Sequence, residues 1–132
     1  MISIGSLDFF PPQDLQVFNS LGSTRLYVLV ARNELIGAPS AVYVGKSIEL
    51  AGGGVALSHH AVQRWRCFGR RLEELRVCES VRQFTDRELV SHEARLIALL
   101  MPELNEERAA NEADSWWTAF FGFSHNTPEG TL

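Results

Sequence analysis

The sequence predicts an α+β protein: a small three-stranded antiparallel sheet flanked by helices, with additional helices at both ends of the chain. Three observations predict it. Residues 24–32, TRLYVLVAR, and 41–45, AVYVG, are short β-branched and aromatic runs separated by the turn-forming NELIGAPS. Residues 85–105, TDRELVSHEARLIALLMPELN, open on a helix-capping signature and reach a proline near their end. At 132 residues, 45% hydrophobic and 21% charged, residues 1–132 suit a single globular domain with its own core.

From the N-terminus, DFFPPQDLQVFNSLG (8–22) predicts a short helix started by proline and ended near Gly22, making 1–23 a helical extension. The runs at 24–32 and 41–45 then pair as an antiparallel hairpin whose loose loop holds Gly37 and Pro39. Gly52, Gly53 and Gly54 break the chain before a helix over 56–72, with Leu57, Ala61, Trp65, Phe68 and Leu72 as its core stripe. LRVCESV (75–81) reads as the third strand. Thr85 with Glu88 three residues on forms a capping box, and the helix it starts stops by Pro102. Residues 107–132 read as a last helix whose Trp116, Trp117, Phe120, Phe121 and Phe123 fall mostly on one face. That face is expected to dock on the core or to join two copies as a homodimer.

No apolar run approaches the roughly 20 residues that span a bilayer, and no basic segment followed by an apolar stretch marks a secretory signal. A cytoplasmic protein without a membrane partner is expected. Cys67 and Cys78 match no zinc spacing and are expected as plain thiols. The formal charge of −4 conceals an asymmetry: Met1–Pro102 carries 11 basic and 10 acidic residues, whereas the remainder carries one basic and six acidic. Between Gly52 and Leu72 there are four arginines, His59 and His60, and no acid. Such a local basic face suits a nucleic-acid partner whatever the sign of the whole.

Several residues point to chemistry. Gly45-Lys46-Ser47 matches the end of a P-loop, but Ser40 stands where its first glycine belongs, and Val42, Tyr43 and Val44 favour a strand over a curled anion nest. Glu93 falls within the apolar stripe Leu89, Leu96, Ile97 and Leu100, where a carboxylate calls for a cation, a metal or a core arginine. His92-Glu93 does not make a zinc-protease motif, because Leu96 occupies the second histidine position. On the helix over 56–72, the 100° advance per residue puts His60, Arg64 and Arg71 on one border of the stripe and His59, Arg66 and Arg70 across the solvent side. Taken singly, Tyr27 and Tyr43 read as core aromatics and Asn105 as a turn residue.

Taken in order, these residues resemble the GIY-YIG nuclease family. Arg25-Leu26-Tyr27 stands in the place of the first motif, and Tyr43-Val44-Gly45 closely copies the second. Arg64 in VQRW matches the helix arginine, and Glu93-Ala94-Arg95-Leu96-Ile97 followed by Pro102-Glu103-Leu104-Asn105 matches the glutamate and asparagine motifs. The match covers roughly 24–106, leaving the two terminal helical extensions outside it. The chain departs from the family pattern at Arg25, which replaces a glycine, and in the insert IELAGGGVALSHH. Phe68 stands where some members have a histidine, for which His60 is the candidate substitute.

The resemblance implies an endonuclease that hydrolyses DNA phosphodiester bonds with one Mg²⁺ or Mn²⁺ held by Glu93, of a restriction, mobile-element or repair type. It implies Tyr27 near the attacking water, Tyr43 on the phosphate, Arg64 on the developing charge, and Asn105 orienting Glu93. A single carboxylate suits one Mg²⁺ that retains waters. Tyrosine, with a pKa of about 10, needs nearby cations to act as a base, and Lys46 and Arg64 are the candidates. Gly45 is expected to let backbone and phosphate approach closely. His59, Arg66, Arg70 and Arg71 are the candidate DNA contacts. The alternative is a nucleic-acid-binding module on the same fold with a weak or inactive site.

Overall fold

The structure, a computed structural model, describes residues 1–32 and 39–105. The hairpin loop at 33–38 and the C-terminal helix expected over 107–132, with its aromatic face, lie outside the described residues. The elements run β1 (Ile2–Ile4), β2 (Leu7–Phe9), β3 (Gln13–Asp14), β4 (Leu26–Arg32), β5 (Pro39–Lys46), α1 (His60–Cys67), β6 (Leu75–Glu79) and α2 (Asp86–Leu100). The class is α+β with antiparallel sheets. No helix among the described residues is long and apolar enough to cross a membrane.

The main sheet has four strands, in the order β3-β6-β4-β5, and β1 and β2 form a separate ribbon. The expectation of three strands omitted β3, and the expected N-terminal helix is replaced by β2, β3 and a turn. The reason lies in the same prolines that suggested a helix start. The residue before a proline is pushed toward extended backbone, so Phe10-Pro11-Pro12 continues away from β2. Phe10 N–H then donates to Glu79 O at 2.8 Å, and Gln13 and Asp14 pair with Val77 and Arg76 at the sheet edge. Phe9, fully buried, anchors this segment in the core.

β4 is central, pairing with β5 on one side and β6 on the other. Its residues alternate between two cores, as a side-chain period of two requires. Tyr27, Leu29 and Ala31 join Tyr43, Ala61, Val62, Trp65, Val77 and Leu104 on the α1 side. Leu26, Val28 and Val30 join Phe9, Val44, Phe84, Leu89, Leu96 and Ile97 on the α2 side.

α2 follows the sequence closely. The Thr85 hydroxyl accepts the Glu88 N–H at 3.2 Å, and the Glu88 carboxylate accepts the Thr85 N–H at 2.9 Å. Met101, in left-handed backbone at φ 46°, closes the helix before Pro102. α1 is shorter than the expected 56–72. His59 caps its start, and Gly69, at φ +74°, takes the chain out of it. Leu57 and Phe68, expected in its core stripe, are consequently 58% and 50% exposed, leaving Ala61, Val62 and Trp65 as the buried face.

Candidate active site

β4 and β5 place the two tyrosines. Tyr27 pairs with Gly45 and Leu29 with Tyr43, so both rings emerge on the α1 face of the sheet. Their centroids lie 5.9 Å apart with the planes tilted by 42°. A Cβ at position 45 would stand 2.7–2.8 Å from Cε1, Cζ and Oη of Tyr27, closer than real Cβ atoms approach anything. The close approach expected at Gly45 is therefore made by the Tyr27 ring, which crosses β5 where a side chain is missing.

The start of α1 supplies the other half of the site. His59 has extended backbone, φ −58° and ψ 135°, and its Nδ1 accepts the Ala61 N–H at 3.0 Å. Its Nε2 lies 2.7 Å from Tyr27 Oη. His60 stacks on His59 at 4.6 Å and meets the Tyr43 ring edge-on at 5.2 Å. The expectation that His59 faces solvent is corrected here. The helix begins at His60, so the helical phase that sent His59 outward does not extend to it.

Tyr27 is fully buried and Tyr43 only 4% exposed, whereas His59 is half-buried and His60 exposed. Burial, followed by Tyr43, Glu49, a hydrogen bond with Tyr43 and then Glu93, pushes the Tyr27 phenol far above its usual range. The expected lowering by Lys46 and Arg64 is overturned: removal from water outweighs any cation nearby. Burial, followed by the neighbouring His60, lowers the His59 pKa against an opposing pull from Glu49, so the imidazole favours its neutral form.

Glu93 lies on the buried face of α2, 5% exposed, where the apolar stripe placed it. Its charge is among the causes that hold the Tyr27 phenol up. Its Oε2 atom is buried outside any hydrogen bond, while the residue keeps other interactions in the fold. Among the described residues no group of three or more His, Cys, Asp and Glu side chains converges. A closed zinc centre needs four such ligands, whereas Mg²⁺ uses one or two carboxylates and keeps its waters. Glu93 offers one carboxylate, the number with which a Mg²⁺ site can work.

The remaining candidates divide. Lys46 is half-buried at the end of β5, with its backbone N–H 3.4 Å from Glu49 Oε1. Arg64, half-buried on α1 one turn after His60, is engaged within the fold. Arg66 is exposed. Arg70 pairs with Glu103 and covers the Trp65 ring at 4.8 Å, and Arg71 lies 3.7 Å from Glu73. Arg70 thus braces α1 against the segment that follows α2. Asn105 does not orient Glu93: its Oδ1 accepts the Val44 N–H at 2.9 Å and its Nδ2 donates to Val44 O at 3.1 Å. The carboxamide pairs with the open edge of β5 as another strand's peptide would.

Sequence reasoning missed Glu79, Ser47 and the role of Arg25. Glu79, buried on β6, accepts the Ser20 and Ser47 hydroxyls, the latter at 2.7 Å, and the Leu21 N–H at 2.8 Å. It ties the loop before β4 to the end of β5, around both tyrosine strands. Its signal was visible, a carboxylate inside the strand LRVCE, but no pattern named its partners. Arg25 Nη1 donates to Ser80 O at 2.9 Å and Val81 O at 2.6 Å, so the residue in place of the family's glycine is a buried brace. Comparison with protein-family models, curated proteins and solved structures finds no match to this chain. The functional reading accordingly rests on its own residues.

Proposed function

We propose that the chain is a Mg²⁺-dependent endonuclease that hydrolyses DNA phosphodiester bonds with a single metal ion, for which Mn²⁺ can substitute. One observation carries this reading: Tyr27, Tyr43, His59 and His60 meet on one face of the sheet, and the charge of buried Glu93 acts on Tyr27. Glu93 holds the ion, which when bound supplies positive charge at a phosphate oxygen. Arg64 and Lys46 contribute fixed positive charge toward the pentacovalent phosphate. Tyr43, the less buried tyrosine, hydrogen-bonds the phosphate or its water network. Tyr27 serves as a neutral phenol: it passes a proton on only by releasing its own as it takes another. Arg66 and exposed His60 contact the DNA backbone at the rim.

A second reading, a binding module without catalysis, draws on the complete burial of Tyr27. Plasmid cleavage separates the two. Wild type is incubated with Mg²⁺, Mn²⁺ or EDTA beside Glu93→Ala, and cleavage is expected only with metal and only in wild type. Cleavage that persists in Glu93→Ala refutes the proposed site, and metal-independent DNA binding without cleavage by wild type establishes the binding module.

A further inference from the structure

We infer that His59 is a positioning residue that fixes the hydroxyl of Tyr27, beside Tyr43, as the acceptor of its Nε2–H. The inference rests on the nuclease reading for its catalytic consequence, but its geometry stands alone. Ala61 N–H points at His59 Nδ1 at 3.0 Å, so Nδ1 is the acceptor and carries no proton. A neutral imidazole then carries its proton on Nε2. That nitrogen is 2.7 Å from Tyr27 Oη, so Nε2–H donates and the phenol oxygen accepts. A hydroxyl has one proton and two lone pairs. With one lone pair facing His59 Nε2–H, the Tyr27 proton points away from that nitrogen, and the Tyr43 ring is its neighbour at 5.9 Å.

The imidazole is held in this pose on three sides. Its cap bond to Ala61 sets the ring's rotation, His60 stacks on it at 4.6 Å, and the Tyr43 ring meets it edge-on at 5.4 Å. A doubly protonated ring would set two donors, Nδ1–H and Ala61 N–H, against each other, and the cap would be lost. The direction of the chain therefore originates in the backbone: Ala61 N–H to His59, and His59 to Tyr27. In the nuclease reading this bond holds the Tyr27 hydroxyl beside Tyr43, the tyrosine proposed to meet the phosphate.

Two substitutions separate this role from simple helix capping. His59→Asn keeps an oxygen near the Nδ1 position and so keeps the cap, but it is too short to reach Tyr27. His59→Gln extends an amide donor toward Tyr27 and gives up the cap. In ¹⁵N spectra of the full chain, His59 is expected with Nδ1 bare and Nε2 protonated. The Tyr27 ring-carbon resonance next to the hydroxyl is expected to move in His59→Asn and to stay near its wild-type position in His59→Gln. In Mg²⁺-dependent plasmid cleavage, kcat is expected to fall about tenfold or more in His59→Asn at unchanged KM, and only a few-fold in His59→Gln. A protonated Nδ1, or a His59→Asn protein with wild-type Tyr27 resonance and cleavage, overturns the inference. If wild type does not cleave DNA, the nuclease reading fails, while the tautomer and the two Tyr27 resonances still decide the role of His59.

Discussion

Gly45→Ala tests the site through one added methyl group. A glycine inside a strand is ordinarily about 0.5–1 kcal/mol less stable than alanine, so in open space the substitution stabilises. At Gly45 the new Cβ would lie 2.7 Å from Cε1 and 2.8 Å from Cζ and Oη of Tyr27, where ordinary contact begins at 3.4 Å. The ring must retreat by about 0.6–0.7 Å, the difference between those distances. It has little room, being fully buried, beside Tyr43 and 2.7 Å from His59 Nε2. Overpacking of this kind costs about 1–3 kcal/mol, and stretching the buried hydroxyl's hydrogen bond costs roughly another 1 kcal/mol. Less the roughly 0.5–1 kcal/mol that alanine gains in a strand, urea denaturation is expected to show Gly45→Ala destabilised by roughly 1–3.5 kcal/mol. In a Tyr27→Leu background, whose shorter side chain opens position 45, the same change is expected to be neutral or to stabilise by up to about 1 kcal/mol, the difference being the coupling between the two sites. A Gly45→Ala protein as stable as wild type, or equal costs in both backgrounds, refutes the claim that the glycine exists for the ring.

Asn105→Ala removes both partners of the Val44 peptide and is expected to destabilise the fold by roughly 2–4 kcal/mol. Hydrogen exchange at the Val44 amide, measured against that at Val28, is expected to rise selectively, and uniform exchange would refute the edge-pairing role. Glu79→Ala strands the donors of Ser20, Leu21 and Ser47 and is expected to cost at least about 3 kcal/mol by thermal or urea denaturation. His59 has a lowered pKa, so the unfolded chain binds its proton more readily than the fold does. Its contribution to stability is therefore complete above about pH 6.5 and is lost as the pH falls from there through the folded pKa. Denaturation midpoints measured between about pH 7 and 5 should fall less in His59→Asn, which has no imidazole to protonate.

How much of this was legible in the sequence depended on whether local signals could decide alone. The hairpin strands, the third strand and α2 with its Thr85–Glu88 box were readable because propensity, periodicity and capping agreed. The placement of Glu93 on a buried helix face followed from spacing alone. The N-terminal segment was misread because Pro11 and Pro12 serve a helix start and an extended chain equally well, and only pairing with β6 decides between them. The length of α1 was misread because Leu57 and Phe68 carry the right period without being buried. That single error moved His59 from the centre of the site to the solvent side. The role given to Asn105 was misplaced for a related reason, since a position just past a helix says nothing about which strand edge it meets.

The burial that makes Tyr27 hard to ionise also limits what it can do if the site is catalytic. Of the influences holding the phenol neutral, burial is the largest and the charge of Glu93 the smallest of those that act. A divalent cation on Glu93 would reverse the sign of that charge and leave the Tyr27 ring as buried as before. Burial as the largest cause favours Tyr27 as a neutral hydroxyl over a resting phenolate. What burial does favour is a fixed hydroxyl, held by His59 on one side with Tyr43 beside it on the other. Groups arranged in this way cost little to reorganise as charge develops, which is the electrostatic route to a lower barrier. They also explain why Gly45, Asn105 and Glu79, none of which bears reactive chemistry toward a phosphate, are bound so closely to the two tyrosine strands.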